Sequence, residues 1–203
     1  IFKFKSLGHN ISHLPVIKIE SKKYQEENFN KYEGIIFTSS NAIKNLDIKK
    51  INKNIYCYCV GLATEKTAKL NGFQNIYTAD GNVNNLKEII LQTFNPNNGR
   101  LLYVSGEIVS SNLDKELIFE GYSIKRLINY SVLPVEELDL KFVDILKSSM
   151  PEIVFIYSQN SAKNFLNLIK KYQLVDLWMN TNLMCIGEKT SSVLNEIKWK
   201  KIF

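Results

Sequence analysis

The feature that most constrains this chain is an alternation. Short runs rich in β-branched and aromatic residues take turns with segments of helical period. The strand candidates are 15–20, 34–38, 55–60, 75–78, 100–104, 122–132, 153–157, 183–186 and 199–203. The helix candidates are 40–48, 64–71, 83–94, 109–120, 135–148, 159–173 and 189–197. Gly34, Gly61, Gly72, Gly99, Gly121 and Gly187 stand at the junctions, where the backbone needs freedom to turn. Several of the runs are apolar throughout rather than at every second residue. That is the pattern of a parallel sheet covered on both faces. Strands alternating with helices give an α/β class. Two segments break the alternation: 15–20 and INYSVLP at 128–134 lead into no helix of their own sheet. Both read as connectors.

Composition narrows the function classes. The 203 residues, 45% hydrophobic and 23% charged, fit a folded globular chain of one large domain or two of about 100 residues. No uncharged run approaches the roughly 18–20 apolar residues that cross a bilayer, so no membrane partner is expected. The net charge of +6 comes from 24 Lys against 2 Arg, Arg100 and Arg126. Nucleic-acid readers favour Arg for bidentate contacts, and no basic-aromatic motif is present, so no nucleic-acid partner is expected either. A basic surface does suit an anionic small ligand. Cys57, Cys59 and Cys185 are odd in number and lack CxxC spacing, which points to a reducing, cytoplasmic setting. His9 and His13 are spaced like metal ligands, but Pro15 follows directly and works against a shared helix face. No metal site is expected.

The chain also repeats itself. FTSSNAIKNL at 37–46 aligns with IYSQNSAKNF at 156–165, and CVGLAT at 59–64 aligns with CIGEKT at 185–190. In each half a strand ends at Ser, an Asn follows two residues later and a helix begins. In each half the next strand ends in Cys-(Val/Ile)-Gly, with Thr three residues after the Gly. Helix starts leave backbone N–H groups unpaired. Side-chain oxygens cap some of them, and the rest attract anions such as carboxylate. In open α/β sheets such sites lie at the carboxyl ends of strands. The candidate donors are Thr38, Ser39, Ser40, Asn41, Gly61 and Thr64, then Ser158, Asn160, Ser161, Gly187 and Thr190, with Ser105 and Gly106 as a fifth turn. Capping alone is the plain alternative for any single turn. Five turns in two halves favour a shared anionic ligand.

The usual nucleotide and hydrolase signatures, GxGxxG, GxxxxGK[ST] and GxSxG, do not occur. Cys59 and Cys185 read as small core residues. Asp80, Glu107 and Glu188 follow strand ends and read as solvated loop charges.

Six segments taken in order carry a family resemblance: LGHNISHLPVIKIE near the start, IIFTSSNAI at 35–43, CVGLATEKTAKLNGF at 59–73, YVSGEIVSSNLDKELIFEGYSIKRLINYSVLP at 103–134, IVFIYSQNSAKNFLNL at 153–168 and CIGEKTSSVL at 185–194. Their order, with a Tyr four residues before Pro134, resembles uroporphyrinogen-III synthase. The resemblance implies two parallel-sheet α/β domains joined by a two-stranded connector. One domain would be discontinuous, 1–14 with 135–203. The other would hold 22–126, with connectors at 15–21 and 127–134. It implies an enzyme of tetrapyrrole (heme) biosynthesis, a hydro-lyase that needs no cofactor. Its substrate would be hydroxymethylbilane, a linear tetrapyrrole with eight carboxylates. The terminal hydroxyl leaves as water, the ring closes and the last pyrrole is inverted through a spiro intermediate. Many weak anion sites suit that task, because positioning alone can lower a barrier by several kcal/mol.

Carried over motif by motif, Thr38, Ser39, Thr64, Ser158 and Thr190 fall in the family's binding turns. Tyr130 matches a Tyr that helps the hydroxyl leave; read without the family it is a packed strand aromatic. The resemblance further implies a monomer with a transient contact to the preceding pathway enzyme. Against the family pattern, the residues start inside the first helix, without an opening strand and its Arg-Pro turn, and stop at WKKIF where a further helix is usual. Two other functions stay open at this point. One is a non-catalytic, two-lobed small-anion-binding module; the other is a degenerate synthase-like domain.

Overall fold

Nine strands and seven helices alternate through the described part of the chain, residues 5–203 of a computed structural model. In chain order they are β1 (Ile17–Ser21), β2 (Gly34–Phe37), α1 (Ser40–Lys44), β3 (Tyr56–Val60), α2 (Leu62–Leu70), β4 (Ile76–Ala79), α3 (Val83–Thr93), β5 (Arg100–Gly106), α4 (Leu113–Phe119), β6 (Ser123–Pro134), α5 (Leu140–Ser148), β7 (Ile153–Ile156), α6 (Gln159–Lys171), β8 (Asn182–Cys185), α7 (Glu188–Ser191) and β9 (Lys201–Ile202). The class is α/β, with sheets that are parallel except at one edge strand, β1. Residues 1–4, the opening of the helix expected at the start, lie outside the described residues. Lys5 and Ser6 are helical, and Gly8 turns the chain with φ +85°.

Two compact units divide the chain. One is Ile19–Val132, and the other joins Leu133–Phe203 to the chain's start up to Lys18.

In the first unit the strand order is β1-β6-β5-β2-β3-β4. The pairs β5·β6, β2·β5, β2·β3 and β3·β4 are all parallel. Beside β6, Lys22 N–H donates to the Asn129 carbonyl (2.9 Å) and Val135 N–H to the Val16 carbonyl (3.0 Å). One residue number falls as the other rises, so β1 runs antiparallel to β6. The strands are apolar on both sides because both sides are covered. Ile35, Phe37, Cys57, Cys59, Leu102 and Val104 pack with Ala42, Ile43 and Ala68 of α1 and α2. The alternate residues Ile36, Tyr58, Leu101 and Tyr103 pack with Leu86, Ile90, Leu113 and Leu117 of α3 and α4. Burial of this kind stabilises by about 25 cal/mol per Å² of apolar surface.

Below this sheet, Glu27 ties the segment before β2 to β6. Its carboxylate pairs with Lys31 (2.5 Å) and with Lys125. Burial alone would raise its pKa, but the hydrogen bonds from the two lysines outweigh burial and hold it at about 2.

The second unit carries a three-stranded parallel sheet, β7-β8-β9. Phe165, Trp178 and Leu183 lie at its core, with Trp199 against them.

Four expected helices are shorter than their periodicity suggests, and in three of them local hydrogen bonding accounts for it. The helix expected over 109–120 begins at Leu113, after Asn112, whose side chain makes no cap bond. The helix expected over 135–148 begins at Leu140. There Asp139 Oδ1 accepts from Lys141 N–H (2.9 Å), while Val135 and Leu138 N–H donate to Val16 and to the Tyr172 hydroxyl. The helix expected over 40–48 stops at Lys44, where Asn45 Nδ2 bonds back to the Asn41 carbonyl (2.9 Å). The helix expected over 189–197 breaks after Ser191 into a 3-10 turn, as Ser191 and Ser192 hydroxyls donate back to Glu188 and Lys189 carbonyls.

Candidate active site

In the six-stranded sheet the chain leaves β2 for β3 on one side and later returns to β5 on the other. That reversal of direction opens a crevice at the carboxyl ends of the strands, the usual ligand position in such sheets. A pocket of about 310 Å³ lies there, lined by Thr38 and Ser39 after β2, Val60 of β3, Gly81, Asn82 and Val83 after β4, Tyr103 of β5, Ile108, Val109 and Ser110 after β5, and Tyr130 of β6. Among the described residues, no charged side chain lines it.

Tyr130 reaches this pocket through an irregularity in β6. The register pairs Ser105 with Ile128 but Gly106 with Tyr130, so Asn129 is an extra residue. Strict alternation would put Tyr130 on the side of Ile124, facing α3 and α4. The bulge re-aims it, and Tyr130 joins Leu127 and Val132 in the cluster on the opposite face. The extra residue is fixed: Asn129 is fully buried, and its side-chain amide donates to the Ala42 carbonyl of α1 at 2.7 Å. The strand bearing Tyr130 is thereby tied to the helix that follows Thr38 and Ser39.

Gly106 makes room for the ring. A Cβ there would sit 2.8 Å from Tyr130 Cε2 and Cζ and 3.0 Å from its hydroxyl. Arg126 holds the same corner: its Nε donates to Ser105 Oγ (2.8 Å), and its Nη2 to the carbonyls of Gly106 (2.8 Å) and Glu107 (2.9 Å).

Ser39 caps α1 in extended conformation (φ −154°, ψ 142°), its hydroxyl accepting from Asn41 N–H at 3.3 Å. Thr38 Oγ1 lies 3.3 Å from the Tyr103 hydroxyl. Burial raises the pKa of Tyr103, so this phenol keeps its proton.

The expected donors do not all gather here. Thr38, Ser39 and Tyr130 share the pocket wall. Ser40 and Asn41 lie in the first turn of α1 behind it. Gly61, with φ +78°, starts α2, and its carbonyl accepts from Thr64 N–H at 3.1 Å. Thr64 itself is buried. Ser105 is buried too, its hydroxyl bonded to Arg126 and to the Gly106 carbonyl, and Gly106 serves as space for Tyr130. In the other unit, Ser158 caps α6 with φ −154° and accepts from Ser161 N–H at 3.1 Å, and Asn160 is exposed. The Gly187 carbonyl accepts from Thr190 N–H at 2.9 Å, and Thr190 is buried. None of Ser158, Asn160, Gly187 and Thr190 lines a groove of that unit formed by Pro134, Val135, Glu136, Asn164, Asn167, Leu168 and Lys171.

Sequence reasoning missed Tyr103, Asn82, Ser110 and the bulge residue Asn129. The loops after β4 and β5 were readable as strand-end loops of a parallel sheet. The bulge left no signal, since Asn129 breaks no pattern that a strand requires. Cys59 is buried in the core, as expected of a small apolar filler, while Cys185 is only half-buried against the core of its unit; Cys57 is buried as well, and all three are free. Among the described residues, no group of three or more His, Cys, Asp or Glu side chains is placed to hold a metal ion. Among the same residues, no helix is long and apolar enough to cross a membrane.

The fold and pocket define an α/β protein with a hydroxyl-lined pocket at the carboxyl ends of the strands of a mostly parallel sheet. The family described as Uroporphyrinogen-III synthase HemD matches residues 2–203, and the chain belongs to that family. It is an enzyme of heme biosynthesis, a cyclising hydro-lyase whose family acts on hydroxymethylbilane. The crystal structure of uroporphyrinogen-III synthetase from Helicobacter pylori 26695 is similar at 22% identity, over 93% of this chain and 84% of that one, with a TM-score of 0.66. A mutant uroporphyrinogen III synthase from the extremely thermophilic bacterium Thermus thermophilus is similar at 15% identity, over 98% of this chain and 84% of that one, with a TM-score of 0.52. At these identities the likeness speaks for the fold. No curated protein sequence matches significantly.

Proposed function

We propose that the pocket of the Ile19–Val132 unit is where hydroxymethylbilane loses its terminal hydroxyl. Tyr130 donates a hydrogen bond to that hydroxyl as its carbon–oxygen bond breaks. The electron pair stays with oxygen; the pyrrole nitrogen's lone pair relieves the electron-poor carbon and its N–H proton is given up, which balances the proton the oxygen takes up to leave as water. The Thr38 hydroxyl and the N–H groups of Ser39 and Ser40 hold a neighbouring carboxylate arm. The observation that carries this reading is that a bulge, a glycine and a buried asparagine together bring Tyr130 into one wall with Thr38 and Ser39. A neutral phenol suits the role because it supplies a proton donor without a charge that would compete for the carboxylates.

The wider organisation belongs to the same reading. Two α/β domains, 1–14 with 135–203 and 22–126, would act on one substrate molecule, with 15–21 and 127–134 as connectors. The repeated turns support this: Ser39 and Ser158 adopt the same extended cap, and Thr64 and Thr190 bond the glycine three residues earlier in the same way. In this reading Ser158, Asn160 and the Gly187 turn offer further carboxylate contacts. Buried Thr64 and Thr190 shape their turns instead. The three free cysteines support work in the reducing cytoplasm.

The deciding experiment is Tyr130→Phe, assayed with freshly made hydroxymethylbilane. Turnover to the type III isomer should fall by about 10²-fold while product binding changes little. Full turnover would remove Tyr130 from the chemistry and leave positioning alone.

A further inference from the structure

We infer that Tyr103 is a positioning residue that fixes the Thr38 hydroxyl as a donor into the pocket. This rests on the reading that Thr38 contacts a substrate carboxylate.

Tyr103 is 1% exposed and stands on β5 among Leu86, Leu113 and Leu117. A buried phenol must place its proton on an acceptor, because leaving it unpaired costs about 1–3 kcal/mol. Thr38 Oγ1 lies 3.3 Å away. A threonine hydroxyl has one proton and two lone pairs. Once it accepts from Tyr103, its own proton is free to point at something else, and both residues line the same cavity. An anion in that cavity therefore meets a hydroxyl already turned to donate. Burial keeps Tyr103 protonated, so it retains a proton to donate to Thr38. Arg126 faces Tyr103 across the strand pair, but its guanidinium is committed to Ser105, Gly106 and Glu107. It accepts nothing from the phenol, since guanidinium has no acceptor.

Tyr103→Phe keeps the ring in the core and removes only the hydroxyl. Thr38 is then free to rotate, and its donor is shared among several directions. The consequence falls on binding rather than on bond breaking, which distinguishes Tyr103 from Tyr130.

The test is a double-mutant cycle on the full chain with Thr38→Val and Tyr103→Phe, measuring KM, kcat and the affinity for uroporphyrinogen III. Each single change should raise KM and weaken product binding by about fivefold, the worth of one net hydrogen bond. The kcat should stay within about twofold. The double variant should be no worse than the weaker single, because the two hydroxyls act as one unit. Thr38→Ser, which keeps the hydroxyl, should retain its sensitivity to Tyr103→Phe. Unchanged KM in Tyr103→Phe beside a raised KM in Thr38→Val overturns this inference alone, as do losses that simply add. Unchanged KM in Thr38→Val overturns the carboxylate contact itself. A fall in melting temperature with unaltered KM would mark Tyr103 as a core residue only and overturn the inference as well.

Discussion

The two units carry the same short turns and do different things with them. Ser39 and Ser158 cap their helices with the same φ of −154° and each accepts a backbone N–H. Gly61 and Gly187 each accept from the Thr three residues on. Local sequence therefore produces similar turns twice, although Ser39 accepts from the residue two on and Ser158 from the residue three on, and Gly61 has φ +78° where Gly187 is extended at 175°. Yet Ser39 stands in the wall of the pocket at the strand ends, and Ser158 lines neither that pocket nor the Pro134–Lys171 groove. The difference lies in what surrounds the turn. In the Ile19–Val132 unit, the loops after β4 and β5 and the bulged β6 build a wall opposite it. In the other unit, the sheet has three strands among the described residues, and Ile153 and Phe155 of β7, with Tyr157 just after it, are exposed (51%, 37% and 61%). A helix start offers donors; a site needs the neighbouring elements that close around it.

Several substitutions would break or sharpen that contrast. The largest effect belongs to Tyr130→Phe, with its loss of about 10²-fold in turnover. Gly106→Ala should come close to it. The new methyl group meets the end of the Tyr130 ring at 2.8 Å, and that ring, being the tip of a side chain, moves away. Turnover should drop by at least about tenfold, while stability falls by only about 1–3 kcal/mol, the range for mild overpacking. If steady-state kinetics showed Gly106→Ala to be fully active, the ring's seat on β5 would not matter to the reaction.

Next comes the Glu27 clamp, which the second unit has no counterpart for among the described residues. Its folded pKa of about 2 lies below the ordinary value of 4.5. A depressed carboxyl pKa stabilises the fold above the unfolded pKa, and that share is lost as pH falls toward the folded one. Urea melts should therefore show stability declining between about pH 4.5 and pH 2. Glu27→Gln should lower neutral-pH stability by about 1–3 kcal/mol, discounted because Lys31 and Lys125 are partly exposed, and should flatten the acid decline. An unchanged pH profile in Glu27→Gln would assign the acid sensitivity to other groups.

The smallest effects separate the twin caps. Ser39→Ala and Ser158→Ala should each cost about 0.5–2 kcal/mol of stability. Ser39→Ala should raise KM the more of the two, because its turn is built into the pocket. Equal shifts in KM would mean that the cap alone binds, without the surrounding wall.

Much of this protein was legible as a string of residues. Runs such as GIIFT and RLLYV had to be buried on both faces, since burial removes apolar surface from water whatever the neighbours are. Ser39 and Ser158 had to cap, because a short side-chain oxygen next to free N–H groups finds them locally. The ordered motifs carried the family. What only the tertiary structure decided depends on strands far apart in the chain. Alternation along β6 would send Tyr130 to the wrong face, and it is the pairing with β5 that inserts Asn129 as an extra residue. Gly106 reads as a turn donor in sequence, but the next strand, β6, fills the space it leaves with the Tyr130 ring. Tyr103 looks like any core aromatic until Thr38, on the neighbouring strand's end, comes within 3.3 Å of it. Local hydrogen bonds and burial are properties of short stretches, so sequence determines them. Register, bulge and shared walls arise only when distant strands are laid side by side, so they belong to the fold.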